Sequence, residues 1–143
     1  MISIYVPGPP QGKARARTVR QGNFVHSYTP EKTVVYENLI KVLAVQEMSK
    51  IRESIIKGPI FLKIVAYYPV PKSVSNSRRT QMTSGKLKPC KKPDADNIAK
   101  VVSDALNGIV YEDDSQICDL NVKKLYTVQE PGVYVYIDRL DSE

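Results

Sequence analysis

The chain has 143 residues, 42% of them apolar and 25% charged, which is enough to build one domain around its own core over 1–143 and leaves little room for a second. Two distant cysteines (Cys90, Cys118) and one histidine (His26) exclude a four-ligand zinc site of the usual kind, and no apolar run approaches a membrane span. The net charge of +6 is unevenly spread: residues 11–20 (Lys13, Arg15, Arg17, Arg20) and 71–92 (Lys72, Arg78, Arg79, Lys86, Lys88, Lys91, Lys92) hold 11 of the 21 basic residues and no acid, leaving a balance of −5 elsewhere. An acidic body with two basic segments suits a polyanionic partner.

Ile2, Ile4 and Val6 alternate with Ser3 and Tyr5, the pattern of an opening strand that Pro7-Gly8-Pro9-Pro10 must end. Gln21-Gly22-Asn23 reads as a turn between two short strands. Thr29-Pro30 reads as a helix start, with Thr29 as N-cap, and Val35, Leu39, Val42, Leu43 and Met48 fall at helical spacing after it. One long or two short helices are expected over 30–57, stopped by Gly58-Pro59. Residues 60–70 are β-branched and aromatic and predict a strand.

The basic stretch 71–92 is expected to be a long loop, mobile without its ligand. A second helix is predicted over 97–107, closed by Gly108, with Ile98, Val101, Val102, Ala105 and Leu106 on its buried face. Residues 117–128 and 133–140 read as two last strands joined by Gln129-Glu130-Pro131-Gly132. The expected fold class is α/β (α+β), a single domain with a mixed or antiparallel sheet and two principal helices. The N-terminus lacks the basic leader of a signal peptide, and unpaired thiols suit a reduced, cytoplasmic protein.

Seven of the 15 acidic residues lie between Asp94 and Asp119. If the chain enters extended through Pro93, Asp94 and Asp96 point to one side. Lys100 and Asp104 follow at successive steps of four on the polar face of the second helix. Asp113 and Asp114 come after it, where the fold can return them beside the helix start. Carboxylates converging beside a lysine provide what metal-assisted phosphodiester hydrolysis needs: hard oxygen ligands for Mg²⁺ and a cation for the charge that develops on phosphate. Plainer roles stand beside this one. Asp96 or Asn97 can be an N-cap, Asp94 a favourable charge at the helix N-terminus, Lys100–Asp104 an exposed ion pair, and 112–114 a solvated turn. A calcium loop starting at Asp94 fails, because the glycine position holds Ala99 and the closing glutamate position Ala105. His26 reads as structural, the two cysteines as inert, and Tyr111 as the aromatic residue closest to the acidic cluster.

Lys92-Pro93-Asp94-Ala95-Asp96-Asn97, then Lys100, then Asp104-Ala105-Leu106-Asn107-Gly108, then Asp113-Asp114-Ser115-Gln116-Ile117 resembles the signature of RusA-type crossover-junction endodeoxyribonucleases. Gly8-x-x-x-Gly12-Lys13-x-Arg15-x-Arg17 and Tyr28-Thr29-Pro30 extend the resemblance, although Ala14 and Ala16 stand where a proline is expected among the basic residues. The resemblance implies a Mg²⁺-dependent (Mn²⁺ as substitute) nuclease, Asp94, Asp96 and Asp114 as metal ligands, Asp113 beside them, and Lys100 as the active-site lysine. It also implies a homodimer acting on four-way DNA junctions, in a family common in phages and prophages. Lys13, Arg15, Arg17, Arg20, Arg78, Arg79, Lys86, Lys88, Lys91 and Lys92 are the expected DNA-binding residues. Flaps or forks as substrate, and a non-catalytic DNA-binding protein with structural carboxylates, are the alternatives.

Overall fold

A computed structural model describes residues 1–140. The elements are β1 (Ile2–Pro7), β2 (Arg17–Gln21), β3 (Phe24–Tyr28), α1 (Glu31–Lys50), β4 (Ile60–Pro69), α2 (Asn76–Thr83), α3 (Ala95–Leu106), a 3₁₀ turn (Asp114–Gln116), β5 (Ile117–Thr127) and β6 (Gly132–Arg139). Four strands form a mixed sheet in the order β1-β6-β4-β5, with β4 and β5 parallel and the other pairs antiparallel. β2 and β3 make a separate hairpin.

The register explains the core. Ile2, Ile137 and Leu62 lie side by side across β1, β6 and β4, as do Ile4, Val135 and Ile64, and all six are buried. Their common face is covered by α1, which packs against β1 and α3, and by α3, which reaches β5. The buried stripe of α3 is the expected one, Ile98, Val101, Val102, Ala105 and Leu106. Asn107 follows as C-cap, and Gly108 adopts φ +76, the left-handed conformation that a glycine tolerates best.

Four expectations need correction. α1 begins at Glu31, not Pro30: Pro30 has ψ 142, an extended value, so it takes the cap position and Thr29 does not. The buried stripe of α1 is Thr33, Tyr36, Ile40, Ala44 and Met48, while Val35 and Val42 face outward. The helix is apolar on both faces, so spacing alone could not choose between them. It also stops well before Gly58. Arg52 takes φ 56, its N–H donates to Ser49 and that of Glu53 to Met48, a Schellman closure made without glycine.

The fourth correction is α2. The segment expected to be a loop contains a helix capped by Ser75, whose Oγ accepts from the N–H of Arg78 at 3.2 Å. Met82 is its one buried residue, so no apolar period was present to reveal it. Among the described residues the molecule thus has the two principal helices expected, α1 and α3, with the short α2 beside them. Beyond α2, Nζ of Lys124 on β5 donates to the carbonyl of Lys91 at 2.7 Å, which fastens the end of the basic segment to the sheet. No helix among the described residues is long and apolar enough to cross a membrane.

Candidate active site

The acidic residues are carried by two elements that the core forces together. Asp94 occupies the N-cap position of α3 with extended dihedrals (φ −71, ψ 155), but its side chain makes no capping hydrogen bond. Its carboxylate is therefore not occupied by the role that most often explains an aspartate there. Asp96 lies in the first turn of α3, so the extended Asp94–Asp96 geometry expected from sequence does not occur: the chain is already helical at Ala95. The positive end of the helix dipole favours both carboxylates.

Asp114 comes from the other side, as the first residue of the 3₁₀ turn. Gln116 anchors that turn. Its Oε1 accepts from the N–H groups of Glu112 (2.8 Å) and Asp113 (3.0 Å), and its Nε2 donates to the carbonyls of Ile56 and Gly58, both at 2.9 Å. Asp113 caps the same turn, with Oδ2 accepting from the N–H of Ser115 at 3.0 Å. Hydrogen bonding from Ser115, side chain and then backbone, holds its carboxyl below the ordinary carboxylate range. Asp113 thus stabilises the loop that presents Asp114. Tyr111 lies beneath the surface beside the cluster. It is fully buried, its hydroxyl donates to the carbonyl of Ser103 at 2.7 Å, and burial drives its pKa far upward.

Two clefts meet at Asp96. A cavity of about 390 Å³ is lined by Asp96, Lys100 and Asp114 together with Ala99, Ser103, Ile117, Cys118 and Leu120. A larger groove of about 770 Å³ also borders Asp96, with Asp94, Asn97, Lys13, Arg15, Arg17, Lys32 and Lys92 among its lining residues. The first basic segment therefore lies along the same groove as the acids. Gly12 makes this possible: a Cβ there would come within 2.8 Å of Cβ of Asn97, so only a glycine lets the loop approach α3 this closely. The N–H of Lys13 donates to the carbonyl of Asn97 at 3.0 Å and closes the contact. Behind Pro93, the buried Tyr68 donates to its carbonyl at 2.6 Å. Burial, then the nearby Asp94 charge, pushes its phenol up to about 12, so it keeps its proton at neutral pH.

Of the sequence-derived candidates, Asp94, Asp96, Asp114, Lys100, Lys13, Arg15, Arg17 and Lys92 border one or both clefts. Arg20, Arg78, Arg79, Lys86, Lys88 and Lys91 border neither; on α2 Arg78 is exposed and Arg79 half-buried, and Lys88 turns back to the carbonyl of Gly85 at 2.6 Å. Lys13 is not free, since its ammonium donates to Glu37 and stands 3.4 Å from Asp104. Sequence reasoning missed Gln116, Glu37 and Lys32. For Lys32 a signal existed, a basic residue in the first turn after Pro30; Glu37 is 24 residues from its partner Lys13, and nothing local marks it.

Among the described residues no three Asp, Glu, His or Cys side chains stand close enough to hold a metal ion as they are. The donor set nevertheless fits a hard divalent cation. Mg²⁺ is usually held by one or two carboxylates, with water and phosphate oxygens completing the shell. Asp96 and Asp114 share one cavity, and Asp94 stands at the mouth of the next with no capping bond.

The family model described as Endodeoxyribonuclease RusA matches residues 7–138. A protein of Bacillus subtilis (strain 168), Uncharacterized protein YqaN, is 41% identical over 144 residues, spanning 99% of this chain and 98% of that protein.

Because one side chain satisfies two carbonyls of the 56–58 loop, Gln116→Ala is expected to lower the unfolding free energy by about 1–3 kcal/mol. Denaturant titration measures that loss, and hydrogen exchange should show faster opening of the amides at 112–116. Unchanged exchange there would mean that Gln116 does not hold the loop.

Proposed function

Because the chain belongs to the RusA endodeoxyribonuclease family, we propose that it is a divalent-metal-dependent nuclease that resolves four-way DNA junctions. The observation that supports this reading is the position of Asp96, on the border between an acidic cavity and a groove lined by Lys13, Arg15, Arg17, Lys32 and Lys92. A protein that only held phosphates would gain nothing from carboxylates along its binding groove, since they repel the backbone.

Asp96 and Asp114, with Asp94, would hold Mg²⁺ or Mn²⁺, and Asp113 assists by fixing Asp114. The ion supplies a Lewis acid that acidifies water and offsets charge on a phosphate. The remaining work belongs to side chains of the protein. Arg15, Arg17, Lys32 and Lys92 bind backbone phosphates on either side of the reacting one and set its register. Arg20, Arg78, Arg79, Lys86, Lys88 and Lys91 extend the positive field to DNA arms that leave the groove. Lys100 Nζ, at the rim of the acidic cavity, donates to a non-bridging oxygen of the scissile phosphate, where charge grows in the transition state. Substrate is a DNA backbone that enters along the basic groove and turns at Asp96.

Resolving a junction takes two symmetry-related nicks, and one chain carries one acidic cavity, so the active species is a C₂ homodimer. The outward face of α1 supports this. Val35, Val42 and Val45 are 61%, 54% and 53% exposed, apolar surface on a helix that the core already satisfies on its other side.

Two outcomes are expected. With labelled four-way junction beside matched duplex, wild type cuts the junction with Mg²⁺ and not with EDTA. Asp96→Asn loses cleavage by about a hundredfold or more while binding junction as well or better, since it removes ligand charge and repulsion but keeps shape. Wild-type turnover in that variant would remove Asp96 from the ligand set, and preferential cutting of flaps or forks would change the substrate. Second, Val35→Glu with Val42→Glu should convert the dimer to a monomer in sedimentation and replace paired nicks in a cruciform plasmid by single ones. A double variant that stays dimeric would place the interface elsewhere.

A further inference from the structure

Lys13 links the outer helix to the active-site lysine. Its ammonium donates to Oε1 of Glu37 on α1 and stands 3.4 Å from Oδ2 of Asp104 on α3. The other oxygen of that carboxylate, Oδ1, is 3.3 Å from Nζ of Lys100. Four alternating charges therefore run Glu37–Lys13–Asp104–Lys100, from α1 across α3 to the rim of the acidic cavity. The inner three are sheltered, with side-chain exposures of 14%, 25% and 22%, whereas Lys100 is 58% exposed. Burial alone would lower the pKa of Lys13; Glu37, and behind it Asp104, outweigh that and raise it above the ordinary lysine value, so the clamp keeps its charge at neutral pH. The backbone of Lys13 is tied to Asn97 as well, so the ammonium is held from both ends.

Lys100 has two carboxylates within one helical turn, Asp96 four residues before it and Asp104 four residues after. Its flexible stem can reach either. In the structure its ion pair is with Asp104. A lysine folded onto Asp96 would neutralise the charge that the cavity offers to a cation and would itself be unavailable to phosphate.

We propose that Asp104 is a positioning residue which, clamped by Lys13 and Glu37, holds the Lys100 ammonium at the cavity rim and off the Asp96 and Asp114 carboxylates. The functional consequence rests on the nuclease reading above. The assignment also moves Lys13 out of the phosphate-binding set, because both of its ion-pair partners are carboxylates of the protein itself, which leaves Arg15, Arg17, Lys32 and Lys92 to contact DNA in the groove.

The test uses Mn²⁺ alone as the probe, titrated into the DNA-free protein with free Mn²⁺ read by electron paramagnetic resonance. Asp104→Asn should weaken Mn²⁺ binding by about tenfold or more, the loss usual for a residue that orients groups around a metal. Asp104→Glu should recover most of it. In a Lys100→Met background, where no ammonium can fall onto Asp96, Asp104→Asn should change Mn²⁺ affinity by less than about twofold, the non-additivity expected of coupled neighbours. Asp104→Ser, which removes the charge in less volume, replaces Asp104→Asn if thermal unfolding shows that variant to be unfolded. Wild-type affinity in the charge-removing variant, or an equal loss in both backgrounds, overturns the proposal. Junction cleavage run in parallel separates the two readings. A wild type that binds Mn²⁺ with the expected variant pattern but cuts no branched DNA contradicts the nuclease reading alone. A wild type that cuts, beside an Asp104→Asn that binds and cuts equally well, contradicts the clamp alone, and a wild type that binds no Mn²⁺ contradicts both.

Discussion

The packing of α3 against the sheet is the constraint from which the acidic cavity follows. Asp96 sits on the first turn of that helix and Asp114 on the turn that feeds β5, and no local interaction would bring these like charges together. Ile98, Val101, Val102, Ala105 and Leu106 are buried with the sheet and α1, and each large one stabilises the arrangement by about 1.5–3 kcal/mol relative to exposure. Tyr111 ties the chain after α3 back to Ser103, and Gln116 ties the next turn to 56–58. With both ends held, Asp96 and Asp114 are kept on the walls of one cavity.

Basic residues line the groove beside the same carboxylates. The chain places its first basic segment along the groove that Asp94 and Asp96 border, through the close contact of Gly12 with Asn97. The second basic segment ends at Lys92, two residues before Asp94, and is fastened to β5 by Lys124. Neither basic segment contains an acid, and the fold brings the first of them, and the end of the second, beside Asp94 and Asp96 along one groove.

The parts of this arrangement differ in how readable they were beforehand. The strands around the core were visible because alternation and β-branching are local, and α3 because its apolar stripe is narrow and its polar face unbroken. α1 was visible as a helix but not in orientation, since valines line the face that Tyr36, Ile40 and Ala44 leave open. α2 was not visible at all, because a short helix with one buried methionine carries no period, and its Ser75 cap looks like any loop serine. In the acidic cluster, residue types and the return of Asp114 to the helix start followed from spacing and family resemblance. The neighbours that hold them did not: Gln116 acts on carbonyls some 60 residues earlier, and Glu37 pairs with Lys13 across 24 residues. Such contacts are made by the tertiary fold, and no window of sequence contains both partners.

In the proposed reading one cation is shared by carboxylates from α3 and from the turn before β5. Crystals of the protein soaked in Mn²⁺ should then give a strong anomalous peak in the cavity between Asp96 and Asp114, within coordination distance of both and lost in Asp114→Asn. A cavity without a peak at saturating Mn²⁺, or a peak bound only by residues outside this pair, would contradict it.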